Sequence, residues 1–278
     1  MGIEPPFVCS APVLELVLGP APAKLDRILV YAPDAIGRVF LDNHVELKKR
    51  LVAASDVQVE LRSMTPPKTP VCFASMFTGA PPEVHGIRKY ERPVLACDTL
   101  FDALARRNTT EIVGTVPDCG APGAGDCPRP TISGRPSRIV HRVAIVAVKG
   151  CSMDIIFRNR PIDYFTEDYD PQVTERALEL VRDGNHDFIV AYNQEYDDTL
   201  HRTRHDGPEA LGAAGRHVET FVRLSQATEE HWAGYNHALL FTPDHGAHFD
   251  VAKGLGDHGD DIPEDMDVLH FWLVRAAR

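Results

Sequence analysis

The sequence predicts an α/β fold in which a mainly parallel central sheet carries helices on both faces. Short apolar runs typical of buried strands alternate with stretches in which apolar residues recur at helical spacing. Such alternation is typical of βαβ units, whose strands run parallel. The 278 residues, 44% of them hydrophobic, are enough to bury a core without disulfide support.

The first part of the chain supplies two strands and two helices to this prediction. The run 27–32 is apolar and is closed by a Pro-Asp pair, as suits a buried strand. Apolar and charged residues at helical spacing, followed by three basic residues, indicate a helix within 37–55. Alternation indicates a strand over 57–61, and a Pro-rich loop then leads into a helix over 71–78 that a Gly-Ala-Pro-Pro stretch ends.

The rest of the chain continues the alternation. Periodic apolar residues indicate three more helices, and strongly apolar short runs indicate three more strands. In order, we predict a helix over 99–107, a strand over 143–148, a helix over 171–183, a strand over 186–192, a helix over 208–226 and a strand over 238–242.

We predict one catalytic domain over residues 25–278, preceded by a Pro-rich leader over residues 1–24. The leader lacks the basic start that is typical of a secretion signal. A stretch around 108–141 interrupts the domain, because its centre is rich in Gly, Pro and Cys and has no periodicity. A loop of that length is unusual in a compact domain, and we interpret it as an insertion or flap, or as an artefact of the gene model.

The charge balance is acidic, with 29 Lys and Arg against 40 Asp and Glu and a formal charge of −11. This argues against a nucleic-acid polymer as a partner, because such binders carry a basic stripe. No apolar run approaches the ~20 residues of a membrane span, so no membrane partner is expected. The 6 Cys are scattered, which favours reduced thiols in a cytoplasmic protein. The oligomeric state stays open.

Asp and His residues cluster beyond several predicted strands. These candidates are Asp34, Asp197, His201, Asp244, His245 and His258. Asp197 and His201 would share one face of a helix, since they are four residues apart. Sites in α/β sheets form beyond the carboxyl ends of strands, and Asp and His are ligands of Zn or Mn, so these residues are candidate metal ligands. Taken singly, each is equally explained as a helix cap, a turn or a solvated loop.

Five ordered sequence blocks contain these candidates. They are 33–37; 67–70 with 78–79 and 82–87; 197–201 with 207–208; 242–246; and 256–261 with 265–266. In order, spacing and residue type they resemble the type I phosphodiesterase/nucleotide pyrophosphatase branch of the alkaline phosphatase superfamily. The resemblance runs from about Arg27 to Trp272, with 108–141 as its poor stretch. The chain is short for that superfamily, so we expect an alkaline phosphatase-like core without a large cap domain.

The resemblance implies a role for each candidate. It makes Thr69 the nucleophile, with Thr65 as the fallback, and it implies two metal sites. One site would consist of Asp34, Thr69, Asp244 and His245, and the other of Asp197, His201 and His258. The implied chemistry is attack of a metal-activated Thr on phosphorus through a covalent phospho-threonine. The implied cofactors are two divalent ions, with Zn favoured by the ligand set and Mn or Fe also suited to three Asp.

Two positions bear on the substrate, which we expect to be a small phosphate ester. Branch members that cleave nucleotide diesters carry Asn where this chain has Tyr90, whose hydroxyl could donate instead. Lys149 lies in a segment similar to one that supplies substrate-binding Lys in the phosphonoacetate hydrolase relatives, although a solvated loop Lys explains it as well. Phosphodiesters or pyrophosphates are the first expectation. A phosphomonoesterase or phosphonate hydrolase is the alternative, and a non-catalytic metal- or phosphate-binding domain is a third.

Three further histidines lie near the blocks. We expect His85 to pack a turn. We expect His205 and His248 to lie beside the ligands or at the surface, with the alternative that either replaces His201 or His258.

Overall fold

A computed structural model of the chain describes residues 1, 3–11, 22, 24–106 and 141–278. Most of the predicted insertion around 108–141 and part of the 1–24 leader therefore lie outside the described residues. Among the described helices, none is long and apolar enough to cross a membrane.

The described strands and helices alternate along much of the chain. The strands are β1 (Arg27–Pro33), β2 (Val57–Arg62), β3 (Val143–Val148), β4 (Asp163–Glu167), β5 (Phe188–Asn193), β6 (His237–Phe241), β7 (His248–Asp250), β8 (Leu255–Asp257) and β9 (Asp267–Arg275). The helices are α1 (Arg38–Asn43), α2 (Val45–Ala53), α3 (Thr69–Thr78), α4 (Pro82–His85), α5 (Leu100–Arg106), α6 (Ser152–Ile156), α7 (Asp170–Asp183), α8 (Glu195–Leu200), α9 (Pro208–His231) and α10 (Pro263–Met266).

Within the described residues, the main sheet has seven strands in the order β2-β9-β6-β1-β5-β3-β4. The five strands from β6 to β4 run parallel to one another, and β9 pairs antiparallel with both β6 and β2. A separate two-stranded antiparallel ribbon joins β7 to β8. The predicted mainly parallel α/β sheet is confirmed.

Both faces of the sheet are covered by helices, as predicted. Alternate residues of β1 point to opposite faces because a strand is pleated. Leu29 and Tyr31 belong to one core together with residues of α7 and α9, whereas Val30 and Ala32 belong to the other with residues of α3, α5 and α6. The central strand is therefore buried on both sides, which explains its continuous apolar run.

The structure corrects several predicted elements. The helix predicted within 37–55 is two helices, which meet at His44. Two strands of the main sheet, β4 and β9, were not predicted. β4 is an edge strand of mixed polarity, whereas β9 lies between β6 and β2 and has an apolar centre, so β9 did carry a signal.

Candidate active site

The carboxyl ends of three neighbouring strands meet at the centre of the sheet. Because β1 lies between β6 and β5, Asp34 beyond β1 is flanked by the residues that follow the other two strands. Asp244 and His245 follow β6, and α8 follows β5. The Asp34 backbone N–H donates to the carbonyl of Asn193, the last residue of β5, at 2.9 Å.

The loops after β1 and β6 are held together by close backbone contact. A Cβ at Gly246 would overlap the Glu264 carbonyl oxygen and would lie 2.9 Å from the Gly37 Cα, so only glycine fits there. Ala35 adopts a φ of 63°, an uncommon conformation for a residue with a side chain. Its backbone N–H donates to Asp244 Oδ1 at 3.3 Å, which fixes that carboxylate.

Thr69 is the first residue of α3, and its side chain lies against Asp34 and His245. The residue is 3% exposed. Its Oγ1 is 3.4 Å from Asp34 Oδ2 and 3.3 Å from His245 Nε2. Thr65, the fallback nucleophile, is exposed in the preceding loop. The geometry therefore favours Thr69 over Thr65.

A first ligand group consists of Asp34, Asp244 and His245, whose candidate ligand atoms lie within 4.8 Å of one another. His245 Nε2 is 3.5 Å from Asp34 Oδ1 and 3.4 Å from Asp244 Oδ2. His245 Nδ1 donates to the Gly246 carbonyl at 3.0 Å, so in the neutral ring Nε2 carries a lone pair. Lone pairs of the imidazole and two carboxylates therefore converge on one point.

A second ligand group consists of Asp197, His201 and His258, again within 4.8 Å of one another. Asp197 lies in α8 and His201 is the cap residue at its C-terminus, so the two lie one helical turn apart, as the spacing predicted. The Nε2 atoms of His201 and His258 each lie 3.3 Å from Asp197 Oδ1. His258 Nδ1 donates to the Pro67 carbonyl at 2.8 Å, which leaves its Nε2 as an acceptor in the neutral ring. The two groups adjoin, because the His245 and His258 rings stack with centroids 4.0 Å apart.

Burial and neighbouring charges set the protonation of the carboxylates in opposite directions. Burial raises the pKa of Asp34 well above its ordinary value, and the nearby carboxylates of Asp244 and Asp197 raise it further. Burial likewise raises the pKa of Asp244 to about 7. Burial opposes ionisation of Asp197 too, but the imidazoles of His201 and His258 outweigh it and hold its pKa below the ordinary value.

The donor set of both groups fits divalent cations. Three buried carboxylate oxygens, Asp34 Oδ1, Asp197 Oδ1 and Asp244 Oδ2, have no hydrogen-bond partner among the described residues. Buried acceptors without a donor are costly, and each of these oxygens faces an imidazole Nε2 that is itself an acceptor in the neutral ring. A cation between them would satisfy both atoms. Three protein ligands per ion would leave positions open for substrate.

The structure brings together all seven predicted ligand and nucleophile positions. Among the described residues, the two predicted substrate residues make no contact with those seven. Tyr90 is 60% exposed. Burial raises the pKa of its hydroxyl, Arg92 opposes that shift, and Asp197 and Asp34 add to it. Lys149 is exposed in the turn after β3, at the same edge of the sheet, and its ammonium contacts neither ligand group among the described residues.

The other predicted histidines take no part in either group. His85 bonds through both ring nitrogens, with Ser75 Oγ at 2.9 Å and with the Ile87 N–H at 3.2 Å, so it packs a turn as expected. His205 and His248 do not replace His201 or His258.

Two polar residues at the site were missed in the sequence. The Tyr192 hydroxyl donates to Asp34 Oδ2, and the Lys68 ammonium donates to the His258 carbonyl oxygen. Tyr192 belongs to the apolar run of β5 and has no motif around it. Its role depends on the register that places it beside Ala32, two residues before Asp34. Lys68 directly precedes the predicted nucleophile and could have been considered on that ground.

Comparison with known proteins gives a family and a set of similar folds. The family model described as "Type I phosphodiesterase / nucleotide pyrophosphatase" matches residues 49–252, well over half of the chain. That match includes Thr69, Asp197, His201, Asp244 and His245; Asp34 and His258 lie outside it and rest on the geometry above. Comparison with curated protein sequences found no match.

Three solved structures illustrate the fold. Phosphonoacetate hydrolase from Sinorhizobium meliloti, in complex with phosphonoformate, is 19% identical with a TM-score of 0.50, covering 82% of this chain and 58% of its own. An inactive variant of murine ectonucleotide pyrophosphatase/phosphodiesterase 5, in complex with AMP, is 14% identical with a TM-score of 0.58, covering 82% and 59%. The periplasmic domain of Escherichia coli EptC, in complex with Zn, is 13% identical with a TM-score of 0.51, covering 96% and 77%.

These similarities establish the fold as alkaline phosphatase-like. The match spans less than two thirds of the hydrolase and of the murine protein. The family match, which covers most of the chain, establishes more: the chain belongs to the type I phosphodiesterase/nucleotide pyrophosphatase family.

Proposed function

We propose that this protein is a metal-dependent hydrolase of phosphoric esters that cleaves phosphodiester or pyrophosphate bonds with Thr69 as its nucleophile. The observation that carries the proposal is the position of Thr69 Oγ1, which lies 3.4 Å from Asp34 Oδ2 and 3.3 Å from His245 Nε2. Family membership supports the same reaction class.

The first ligand group, with Thr69 beside it, and the second ligand group would each hold one divalent ion. Mixed imidazole and carboxylate ligands favour Zn, and the three Asp also suit Mn or Fe. When bound, such ions act as Lewis acids that make a hydroxyl more acidic and offset negative charge on the phosphoryl oxygens.

The chain itself contributes orientation and the nucleophile. The Thr69 hydroxyl donates towards Asp34 Oδ2, and this contact would orient the nucleophilic oxygen. Attack by Thr69 Oγ1 forms an oxygen–phosphorus bond and breaks the bond to the leaving oxygen, which takes up a proton. Water then attacks the phospho-threonine from the face opposite Oγ1, releases the phosphoryl product and returns the proton to Thr69. The Tyr90 hydroxyl would donate to a phosphoryl oxygen, in the position where branch members that cleave nucleotide diesters carry Asn.

A phosphomonoester or phosphonate substrate is the second candidate. The Arg92 guanidinium donates to the Gly150 carbonyl at 2.6 Å, so the basic segment 88–92 adjoins the turn that carries Lys149. Together these side chains would offset the second negative charge of a dianion. The similarity in fold to phosphonoacetate hydrolase is consistent with this alternative.

The test compares turnover of a nitrophenyl phosphodiester, the matching monoester and phosphonoacetate by protein loaded with Zn or Mn. Thr65→Ala provides a matched control, because it removes an exposed Thr from the loop that precedes α3. We expect Thr69→Ala to lower turnover by about 10³-fold or more while Thr65→Ala stays near wild type. Full activity in Thr69→Ala would refute the nucleophile assignment. Metal-loaded wild type without turnover on any of the three substrates would favour the non-catalytic alternative.

A further inference from the structure

Asp265 belongs to the last of the five sequence blocks, and the resemblance implies no role for it. It lies in the short helix α10 and is 0% exposed. It is a member of neither ligand group. An acidic side chain is rarely buried to this extent unless polar partners hold it, so its contacts indicate what it does.

One carboxylate oxygen of Asp265 holds the backbone that follows His258. Its Oδ2 accepts the Gly259 N–H at 2.8 Å and the Asp260 N–H at 2.9 Å. Hydrogen bonds to a carboxylate are stronger than those between neutral groups. Gly259 has a φ of 131°, a conformation that favours glycine. The Asp265 side chain therefore fixes an uncommon turn immediately after a predicted metal ligand.

The other carboxylate oxygen and the backbone of Asp265 bind the loop that carries His245. Oδ1 accepts from His248 Nδ1 at 2.8 Å, and the Asp265 backbone carbonyl accepts the Gly246 N–H at 2.8 Å. The Gly246 carbonyl in turn accepts from His245 Nδ1 at 3.0 Å. Asp265 thus connects segment 245–248 to segment 258–260.

These two segments carry the histidines at which the ligand groups adjoin. His245 belongs to the first group and His258 to the second, and their rings stack with centroids 4.0 Å apart. The His258 ring is fixed from a different side, by the Pro67 carbonyl. A shift of segment 258–260 against segment 245–248 would therefore change the separation of the two groups.

We propose that Asp265 is a positioning residue that holds His258, and with it the second ligand group, in place relative to the first. The inference rests on the function proposed above, because it concerns the same two groups. Hydrogen bonds that orient a metal ligand affect metal affinity by about 10- to 100-fold. Substituting the side chain frees segment 258–260 but leaves the backbone bond to Gly246. The ion of the second group should therefore be held more weakly, and the ion of the first group should not.

The test is calorimetric titration of the full-length apo protein with Zn, combined with elemental analysis after dialysis, in Asp265→Asn and Asp265→Ala. Asn keeps one acceptor oxygen and Ala keeps neither. We expect one of two equivalents to bind about 10-fold more weakly in Asp265→Asn and about 100-fold more weakly in Asp265→Ala, while the other binds as in wild type. Turnover that is lost at limiting Zn should return towards wild type at saturating Zn. The isosteric Asp265→Asn carries the test if Asp265→Ala does not fold.

Asp187→Ala is the matched control. The Asp187 carboxylate also bonds a histidine and a backbone N–H, with His141 Nδ1 at 3.2 Å and the Arg142 N–H at 3.3 Å. Asp187 directly precedes β5, so it lies at the end of that strand opposite to the ligand groups. We expect this variant to unfold at a lower temperature than wild type while both equivalents bind unchanged.

Three outcomes would overturn the proposal. They are unchanged affinities in both Asp265 variants, equal weakening of both equivalents as a general loss of stability would produce, and the same selective loss in Asp187→Ala. Failure of the proposed function is distinguishable, because it would appear in wild type as Zn binding without turnover. The selective loss of affinity in the Asp265 variants is measured whether or not wild type hydrolyses phosphate esters.

Discussion

Replacing Tyr192 with Phe removes one hydrogen bond from the predicted metal ligand Asp34 and little else. The Tyr192 ring packs edge-on against Phe73, with centroids 4.9 Å apart, and Phe keeps that contact. In the wild type, the Tyr192 hydroxyl and the Thr69 hydroxyl both donate to Asp34 Oδ2. The substitution leaves only the longer bond from Thr69.

The expected magnitude follows from the charge on the acceptor. A hydrogen bond to an ionised group contributes about 1.5–3 kcal/mol, and every ~1.4 kcal/mol is a factor of ten in an equilibrium constant. Partners that orient metal ligands affect metal affinity to a similar extent. We therefore expect Tyr192→Phe to bind Zn about 10- to 100-fold more weakly than wild type, with a comparable loss of turnover when the metal is limiting.

Tyr31→Phe is the matched control for this substitution. Tyr31 is equally buried in the neighbouring strand β1, but its hydroxyl bonds His217 at 2.8 Å on the other face of the sheet. We expect Tyr31→Phe to lower the free energy of unfolding by about 1 kcal/mol without changing metal affinity. The measurement is titration calorimetry with Zn, accompanied by thermal unfolding. The reasoning is refuted by wild-type affinity in Tyr192→Phe, or by equal losses of affinity in the two variants.

Two further predictions concern the loops that carry the ligands. The pKa of Asp244 is raised to about 7, so ionisation of this carboxyl destabilises the metal-free fold as the pH rises from ~4 through 7. With a chelator present, the unfolding temperature of wild type should therefore fall progressively below that of Asp244→Asn over this pH range. A difference in unfolding temperature that does not change with pH would contradict this prediction. Gly246→Ala should destabilise the fold by about 1–3 kcal/mol, because its Cβ would overlap the Glu264 carbonyl oxygen. Gly215→Ala should be neutral or stabilising, because beyond the backbone of its own helix nothing lies within 4 Å of the added Cβ. Chemical denaturation measures both effects, and equal effects would contradict the packing argument.

Several members of the ligand groups could be predicted because they lie just beyond the carboxyl ends of predicted strands. Asp34 and Asp244 come directly after apolar runs, and the parallel order of β6, β1 and β5 brings them together. The spacing of Asp197 and His201 indicated a shared helix face, which α8 and its C-terminal cap residue provide. His258 follows no strand of the main sheet, and only the family resemblance connected it to Asp197.

Other features depended on information that a single sequence does not contain. Tyr192 reaches Asp34 through the pairing register of β5 with β1, which no local pattern shows. The helical periodicity over 37–55 is continuous and does not show the break at His44, where α1 ends and α2 begins. Four points stay predictions: the roles of Tyr90 and Lys149, the identity of the metals, the number of metals and a cytoplasmic location.

The covalent intermediate tests the central claim most directly. Metal-loaded protein is mixed with a nitrophenyl phosphodiester or pyrophosphate substrate, quenched in acid during the first turnover, and digested for peptide mass spectrometry. The account predicts that the transferred phosphoryl group is attached to Thr69 in wild type and in Thr65→Ala, and that no adduct forms in Thr69→Ala. An adduct on another residue, or an adduct that persists in Thr69→Ala, would contradict it.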